Sequence, residues 1–428
     1  MRLPAYRWWM VAALAVTSTA GYGVLTYAFA VLLVPMQEAL GADRTVVTGA
    51  QTVALLAAAL AAVPAGRWLD RWGGRALMVG CSVLATLLVL AWSQVESVPA
   101  LYAVSFGLGV ASAGVLYEAA FAVVVTWFHD ARRGTALLAI TIVGGFASTI
   151  FMPLTAVLVE AYGWRQALVV LAGIYGGLTV PLHLLARRPR DFVPQRRQAR
   201  QRTAAAFRDP AYWLIGGIFV AQGIGVFVIA VHLVAYLREL GHTPTIAASI
   251  AGLLGVMSVT GRVATTVAGR RYAFAAVVAT VFAVQAAGLA LLPVVGHGLA
   301  PAVGCVLAVG LGFGVSTIAR PTLLADRYGV AGYATLAGLL AAILMVAKAL
   351  APLGAAWLRT AADSYTPVMA ISAAGSVLGA TGLLALGRTQ RAKREGRRGD
   401  GEVEQDDRGE GEGVGPVGAP RDPRSGRG

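Results

Sequence analysis

Cysteine and lysine are almost absent from this chain. Its two cysteines, Cys81 and Cys305, each lie inside an apolar run, so there is no disulfide framework and no spaced set of metal ligands. The two lysines are Lys348 and Lys393. No nucleophile–base pair and no Walker-type phosphate loop can be read, so neither an enzyme nor an ATP-driven machine is expected. No metal, cofactor or catalytic residue is expected, and no soluble sensory or output domain that would make the chain a receptor. Charged residues are scarce as well, at 13% against 57% hydrophobic, with a mean hydropathy of +0.69. A soluble protein of that composition has too little polar surface to cover itself. The apolar side chains must face lipid.

Apolar runs of spanning length fall at 8–34, 45–66, 75–93, 99–127, 135–159, 164–186, 211–237, 245–268, 272–293, 298–325, 332–357 and 366–387. That pattern predicts an all-α integral membrane protein of twelve transmembrane helices in two pseudo-symmetric six-helix bundles, 8–186 and 211–387. Residues 187–210, with eight arginines and no apolar run, form the linker between them. The run from Trp8 to Val34 is too long for a signal-peptide core and is read as an uncleaved first helix. The segment 388–428 is rich in Gly, Arg, Glu and Asp without periodicity, and is read as a disordered tail. Its basic start, Arg388 to Arg398, could touch anionic lipid, although a solvated tail without a partner is the plainer reading.

The formal charge of +14 and pI near 10.3 do not point to nucleic acid. With the N-terminus placed inside, 28 of the 35 basic residues fall on the cytoplasmic side. Four fall outside (Arg44, Arg165, Arg238 and Arg359) and three lie within spans. Asymmetry of that size sets the orientation of a multi-pass protein. Both termini are expected in the cytoplasm, of a bacterial-type inner membrane.

One segment carries a family resemblance. Between the second and third runs the chain reads Gly66-Arg-Trp-Leu-Asp70-Arg71-Trp-Gly73-Gly-Arg75, read here as a loop. It resembles the signature of the major facilitator superfamily at the same topological position. Glycines allow a tight turn at the membrane face, and Asp70 with Arg71 and Arg75 could latch the two halves by charge-assisted bonds. The second half holds an echo, Gly261 through Arg270-Arg271, without an aspartate. Further stretches resemble the monocarboxylate-porter and oxalate/formate-antiporter branches: Gly21-Tyr-Gly-Val-Leu-Thr-Tyr-Ala-Phe, Trp127-Phe128 with Arg132-Arg133-Gly134, and Tyr162-Gly-Trp-Arg165. The resemblance covers about residues 8–387. It implies a secondary transporter working by alternating access, acting as a monomer in the bilayer on a small molecule, with a coupling proton or a counter-anion.

Four ionisable residues lie at membrane depth, where charge is costly and marks function: Glu118, Arg262, Arg320 and Lys348. In oxalate/formate-type antiporters a helix-8 arginine and a helix-11 lysine bind substrate carboxylates, and Arg262 and Lys348 match them. That resemblance implies an organic anion, a mono- or dicarboxylate, as substrate. Two departures stand out. Ser258 replaces the aspartate one turn before the arginine of monocarboxylate transporters, and their helix-1 lysine is absent. Alternatively, Arg262 could reach the cytoplasmic face and Lys348 could pair with a carbonyl or Glu118. Glu118 could be the protonatable group, or could pair with Arg320 as a gate. A drug- or metabolite-efflux transporter is the rival reading, with Glu118 recognising cations beside Tyr22, Tyr27 and Tyr117. His183, His232 and His297 are read as incidental.

Overall fold

A computed structural model describes residues 3–128, 132–189 and 196–409. The side chains from 388 onward and all of 410–428, on which the reading of the tail rests, lie outside the described residues, as do 190–195 of the linker. One compact unit spans Met1–Leu384 and a second Ala385–Gly428. The sites below belong to the first.

Every regular element among the described residues is helical. Eleven helical stretches among them are long and apolar enough to cross a membrane. One of them, Arg132–His183, is 52 residues long, or about 78 Å at 1.5 Å per residue. That is more than twice a hydrocarbon core of about 30 Å. It breaks at Gly163, whose φ of 77° is non-helical. Counted as spans 5 and 6 it gives twelve. Spans 1 to 4 are Tyr6–Leu40, Thr45–Trp72, Gly74–Ser93 and Val98–Trp127. Spans 7 to 11 are Pro210–Glu239, Ser249–Ala268, Phe274–Val295, Leu299–Tyr328 and Tyr333–Ala362, and span 12 begins at Thr366.

Several boundaries differ from those read in the sequence, for identifiable reasons. The signature segment is not a loop: the helix of span 2 runs on to Trp72, and Gly73 alone makes the turn, with φ 85°. Nothing in Arg67–Arg71 disfavours helix, and the chain leaves it only where glycine allows a positive φ. The linker holds its own helix, Arg196–Arg208. The last helix continues to Gly409, past the apolar stretch.

Each half packs its own apolar cluster. Leu32, Met36, Val89, Trp92, Leu168 and Tyr175 join one, and Ile229, Leu289, Val306 and Met369 join the other. Large apolar side chains such as Leu60, Val256, Val294 and Leu353 stand out from the surface, as expected where the solvent is lipid.

The halves meet most closely where span 2 crosses span 11. A Cβ on Gly66 would stand 2.2 Å from the Ala334 carbonyl oxygen, and one on Gly338 would stand 2.4 Å from that of Ala62. Small residues on both sides let the two backbones touch. This crossing lies toward the end of the bundle that carries the linker, called here the linker end.

Candidate functional site

Spans 4 and 10 occupy corresponding places in the two halves, and both are broken. In span 4 the helix stops at Ser112 and resumes at Tyr117; in span 10 it stops at Phe313 and resumes at Ser316. Paired interruptions of this kind expose helix ends inside the membrane, where ions can be held. Glu118 is the second residue after the first break, so its carboxylate sits at a helix N-terminus that favours negative charge. Arg320 lies in the resumed helix of span 10 and makes an ion pair with Glu118 across the halves. Both side chains are largely buried, at 10% exposure for Arg320 and 21% for Glu118. Of the two roles left open for Glu118, a protonatable group and a partner of Arg320, the geometry shows the pairing with Arg320.

Arg262, in span 8, is committed. Its Nη1 donates to the Thr141 carbonyl of span 5 at 2.6 Å, its Nε to the Gly314 carbonyl at 3.2 Å, and its Nη2 to Ser258 Oγ at 3.1 Å. The side chain therefore ties span 8 both to the break in span 10 and to the opposite half. The hydroxyl of Ser258 is a direct partner of the arginine. The Arg262 guanidinium lies within electrostatic reach of Tyr117, Tyr27 and Tyr22. Tyr22 and Tyr117 pack ring to ring with centroids 4.5 Å apart, and Tyr117 stacks on Phe121 at 5.2 Å.

Lys348 is the sixteenth residue of span 11, about 20 Å along the axis from Thr335. Its ammonium stands 4.4 Å from the centroid of the Phe227 ring of span 7. Such a contact stabilises a cation by about 0.5–2 kcal/mol. Among the described residues it makes no hydrogen bond or ion pair. Glu118 and Arg320 lie within electrostatic reach, and Glu118 already faces Arg320. Arg262 is six residues from the linker end of span 8, so the two matched cations differ in depth by roughly 10 Å. The structure does not bring them together on one set of neighbours.

Asp70, at the end of span 2, bonds to the start of span 11 in the other half. It accepts from the backbone N–H of Ala334 at 3.1 Å, from that of Thr335 at 2.8 Å, and from Thr335 Oγ1 at 2.6 Å. These are first-turn N–H groups of span 11, which have no partner within the helix. The neighbouring arginines act differently from expectation. The Arg71 guanidinium lies over Trp72, 4.7 Å from the ring centroid, while Arg188 from the linker donates to the carbonyls of Leu69, Asp70 and Arg71. Arg75 is exposed.

Further ties at the linker end were not read from the sequence. Arg133 pairs with Asp326 across the halves, and Arg270 donates to Thr135 Oγ1 at 3.3 Å. Asp209 caps span 7 through the Ala211 N–H at 3.0 Å and accepts from Arg327 and from Tyr328 Oη. Burial alone would raise the Asp209 pKa, but these donors hold it below the usual aspartate value. Of the histidines, His183 is buried against Ser82 Oγ at 2.7 Å, and His232 bridges Tyr365 Oη and the Pro352 carbonyl. His297 lies 3.2 Å from the Leu240 carbonyl. Among the described residues no group of His, Cys, Asp and Glu could hold a metal ion, and Cys81 and Cys305 are free.

This arrangement can be set beside known proteins. The chain is 27% identical over 343 residues to the oxalate:formate antiporter of Oxalobacter formigenes, covering 76% of this chain and 78% of that one. It is 27% identical over 295 residues to the probable nitrate/nitrite transporter NarK2 of Mycobacterium tuberculosis, covering 66% and 74%. Its fold matches the fucose transporter FucP in the outward conformation with a TM-score of 0.68 at 16% identity, over 87% of this chain and 97% of that one. It matches the human organic anion transporter MFSD10 with 0.66 at 15%, over 87% and 99%. Residues 11–352 match the sequence profile of the Major Facilitator Superfamily, so the chain belongs to that family and is a membrane transporter rather than an enzyme.

Proposed function

We propose that this protein is a secondary active transporter of a small organic anion, a mono- or dicarboxylate, and that Lys348 is the charge that receives it. The observation that carries this reading is an ammonium at mid-span with a phenyl face but no described anionic partner of its own. Glu118, Arg262, Arg320 and Lys348 together amount to three cations and one acid. A cation without a counter-charge in a water-poor site is unfavourable, and an entering carboxylate relieves that cost. The two relatives named above, an oxalate:formate antiporter and a probable nitrate/nitrite transporter, favour the same sign of charge.

In this proposal the linker end faces the cytoplasm, as the 28-to-4 distribution of basic residues implies, and both termini lie inside. The state described is then closed to the cytoplasm by Asp70, Glu118–Arg320 and Arg262, with the substrate arriving from the opposite face. Arg262 is a cross-half strut in this state. It becomes available to substrate only when span 8 parts from Thr141. An efflux transporter for organic cations would need Glu118 free beside the Tyr22–Tyr117 stack, and its pairing with Arg320 weighs against that reading.

Counterflow in proteoliposomes tests the proposal. Labelled mono- and dicarboxylates are expected to exchange and labelled lipophilic cations are not. Exchange of the cations alone would overturn it.

A further inference from the structure

A cavity of about 460 Å³ opens at the linker end, remote from Lys348, with walls taken from both halves. A water molecule's share of liquid volume is about 30 Å³, so this space holds a headgroup-sized ligand rather than one isolated water. The half before the linker contributes Arg133 and Thr135. The other half contributes Arg270 from the turn between spans 8 and 9, Phe274 from the start of span 9, and Thr322 and Asp326 from span 10.

The ionised side chains on this wall are two guanidinium groups and one carboxylate. Arg133 spends Nη2 on Asp326, and its Nε is buried without a partner. Arg270 gives one Nη2 bond to Thr135, while the rest of its side chain is exposed. A guanidinium carries five donors in a planar fork suited to phosphoryl and carboxylate oxygens. Donors therefore remain on two arginines brought together from opposite halves. Exposed Arg132 and Arg271, adjacent in sequence, add to the positive potential at the mouth.

We infer that this cleft is a binding site for a phosphate-type anion, separate from the transport site, and that its occupancy holds the linker end closed. The ligand chemistry is a phosphoryl group, supplied either by an anionic lipid headgroup at the membrane surface or by free phosphate. Because Arg133 and Arg270 come from different halves, the site is complete only when those halves meet. A ligand that binds one state alone shifts the equilibrium toward it.

The test uses the full chain in nanodiscs, read by thermal unfolding. One arm takes phosphatidylcholine discs and titrates inorganic phosphate against chloride at matched ionic strength. The other takes phosphatidylglycerol discs without phosphate. Wild-type protein should be stabilised by phosphate, by phosphatidylglycerol, or by both; which arm responds identifies the source. Arg270→Gln should lose that gain, with the half-maximal phosphate concentration rising about tenfold, the size expected for one charge-assisted bond. Arg238→Gln, in the last turn of span 7 at the opposite end of the bundle, should keep it. Unfolding in phosphatidylcholine discs without phosphate shows whether each variant is intact. The inference is overturned if neither anion stabilises the wild type, if chloride does so equally, or if an intact Arg270→Gln responds like the wild type.

Discussion

The two halves of this transporter share a plan and differ in charge. Spans 4 and 10 are interrupted at corresponding places, and in both cases an ionised residue follows the break. Before the linker that residue is Glu118; after it, Arg320. The same polarity recurs across most of the contact between halves. Asp70 and the Thr141 carbonyl accept from one side, while Ala334, Thr335 and Arg262 donate from the other. Among the described residues, Arg133–Asp326 runs the other way. Repetition explains the architecture, and the broken symmetry of charge makes one half a donor face for the other. The donor half also holds Lys348, whose charge the acceptor half does not match.

The comparison is broken most severely at Glu118. Replacing either Glu118 or Arg320 by a neutral residue strands its partner inside the membrane, with an expected penalty of about 3–5 kcal/mol. Transport should nearly vanish in Glu118→Gln and in Arg320→Gln. Exchanging the two charges in one protein should restore part of it. Strictly additive losses would show that the residues act separately.

A smaller effect is expected where span 2 crosses span 11. Gly338→Ala places a methyl group 2.4 Å from the Ala62 carbonyl oxygen, so the helices must separate. Overpacking of this kind costs about 1–3 kcal/mol. Hydrogen exchange at 333–338 should accelerate, because the linker end closes less completely. Unchanged exchange would mean that the crossing is looser than described.

Asp70→Asn is expected to act in the same direction with a similar or smaller magnitude. It keeps the shape and one acceptor oxygen but removes the charge that three donors share, weakening bonds of about 1.5–3 kcal/mol each when charged. The variant should fold and cycle slowly. A normal transport rate would reduce the segment to a structural role.

The mildest test concerns the tie beneath span 7. The Asp209 pKa is depressed in the native protein, so its stabilising contribution is complete above the ordinary aspartate value. That contribution is lost as pH falls through the lower native value. Asp209→Asn should therefore lower stability at neutral pH and flatten the acid limb, meeting the wild type as pH falls below the native value. An acid limb identical to the wild type would exclude Asp209 from it.

Much of this was legible in the sequence because lipid imposes length. Runs of about 20 apolar residues gave the spans, and rare charges within them gave Glu118, Arg262, Arg320 and Lys348. Asp70 was legible through its motif. The partners of Arg262 were not, since two of them are backbone carbonyls, which every residue carries. Nor could Arg188 be separated from the other linker arginines, or Asp209 and Asp326 from ordinary solvated charges at helix ends. The two breaks follow similar glycine clusters, Gly107, Gly109 and Gly114 in span 4 and Gly310, Gly312 and Gly314 in span 10, which read equally well as close-packing residues.

The central claim is that an uncompensated Lys348 selects an anion. Thermal unfolding of the purified protein against a panel of carboxylates, in the wild type and in Lys348→Gln, tests it most directly, because a ligand that binds the native state raises its stability by mass action. Carboxylates should stabilise the wild type. Lys348→Gln should bind them more weakly by about 2–5 kcal/mol while unfolding no earlier in their absence. Stabilisation of the wild type by cations or neutral solutes instead, or equal carboxylate stabilisation in Lys348→Gln, would contradict it.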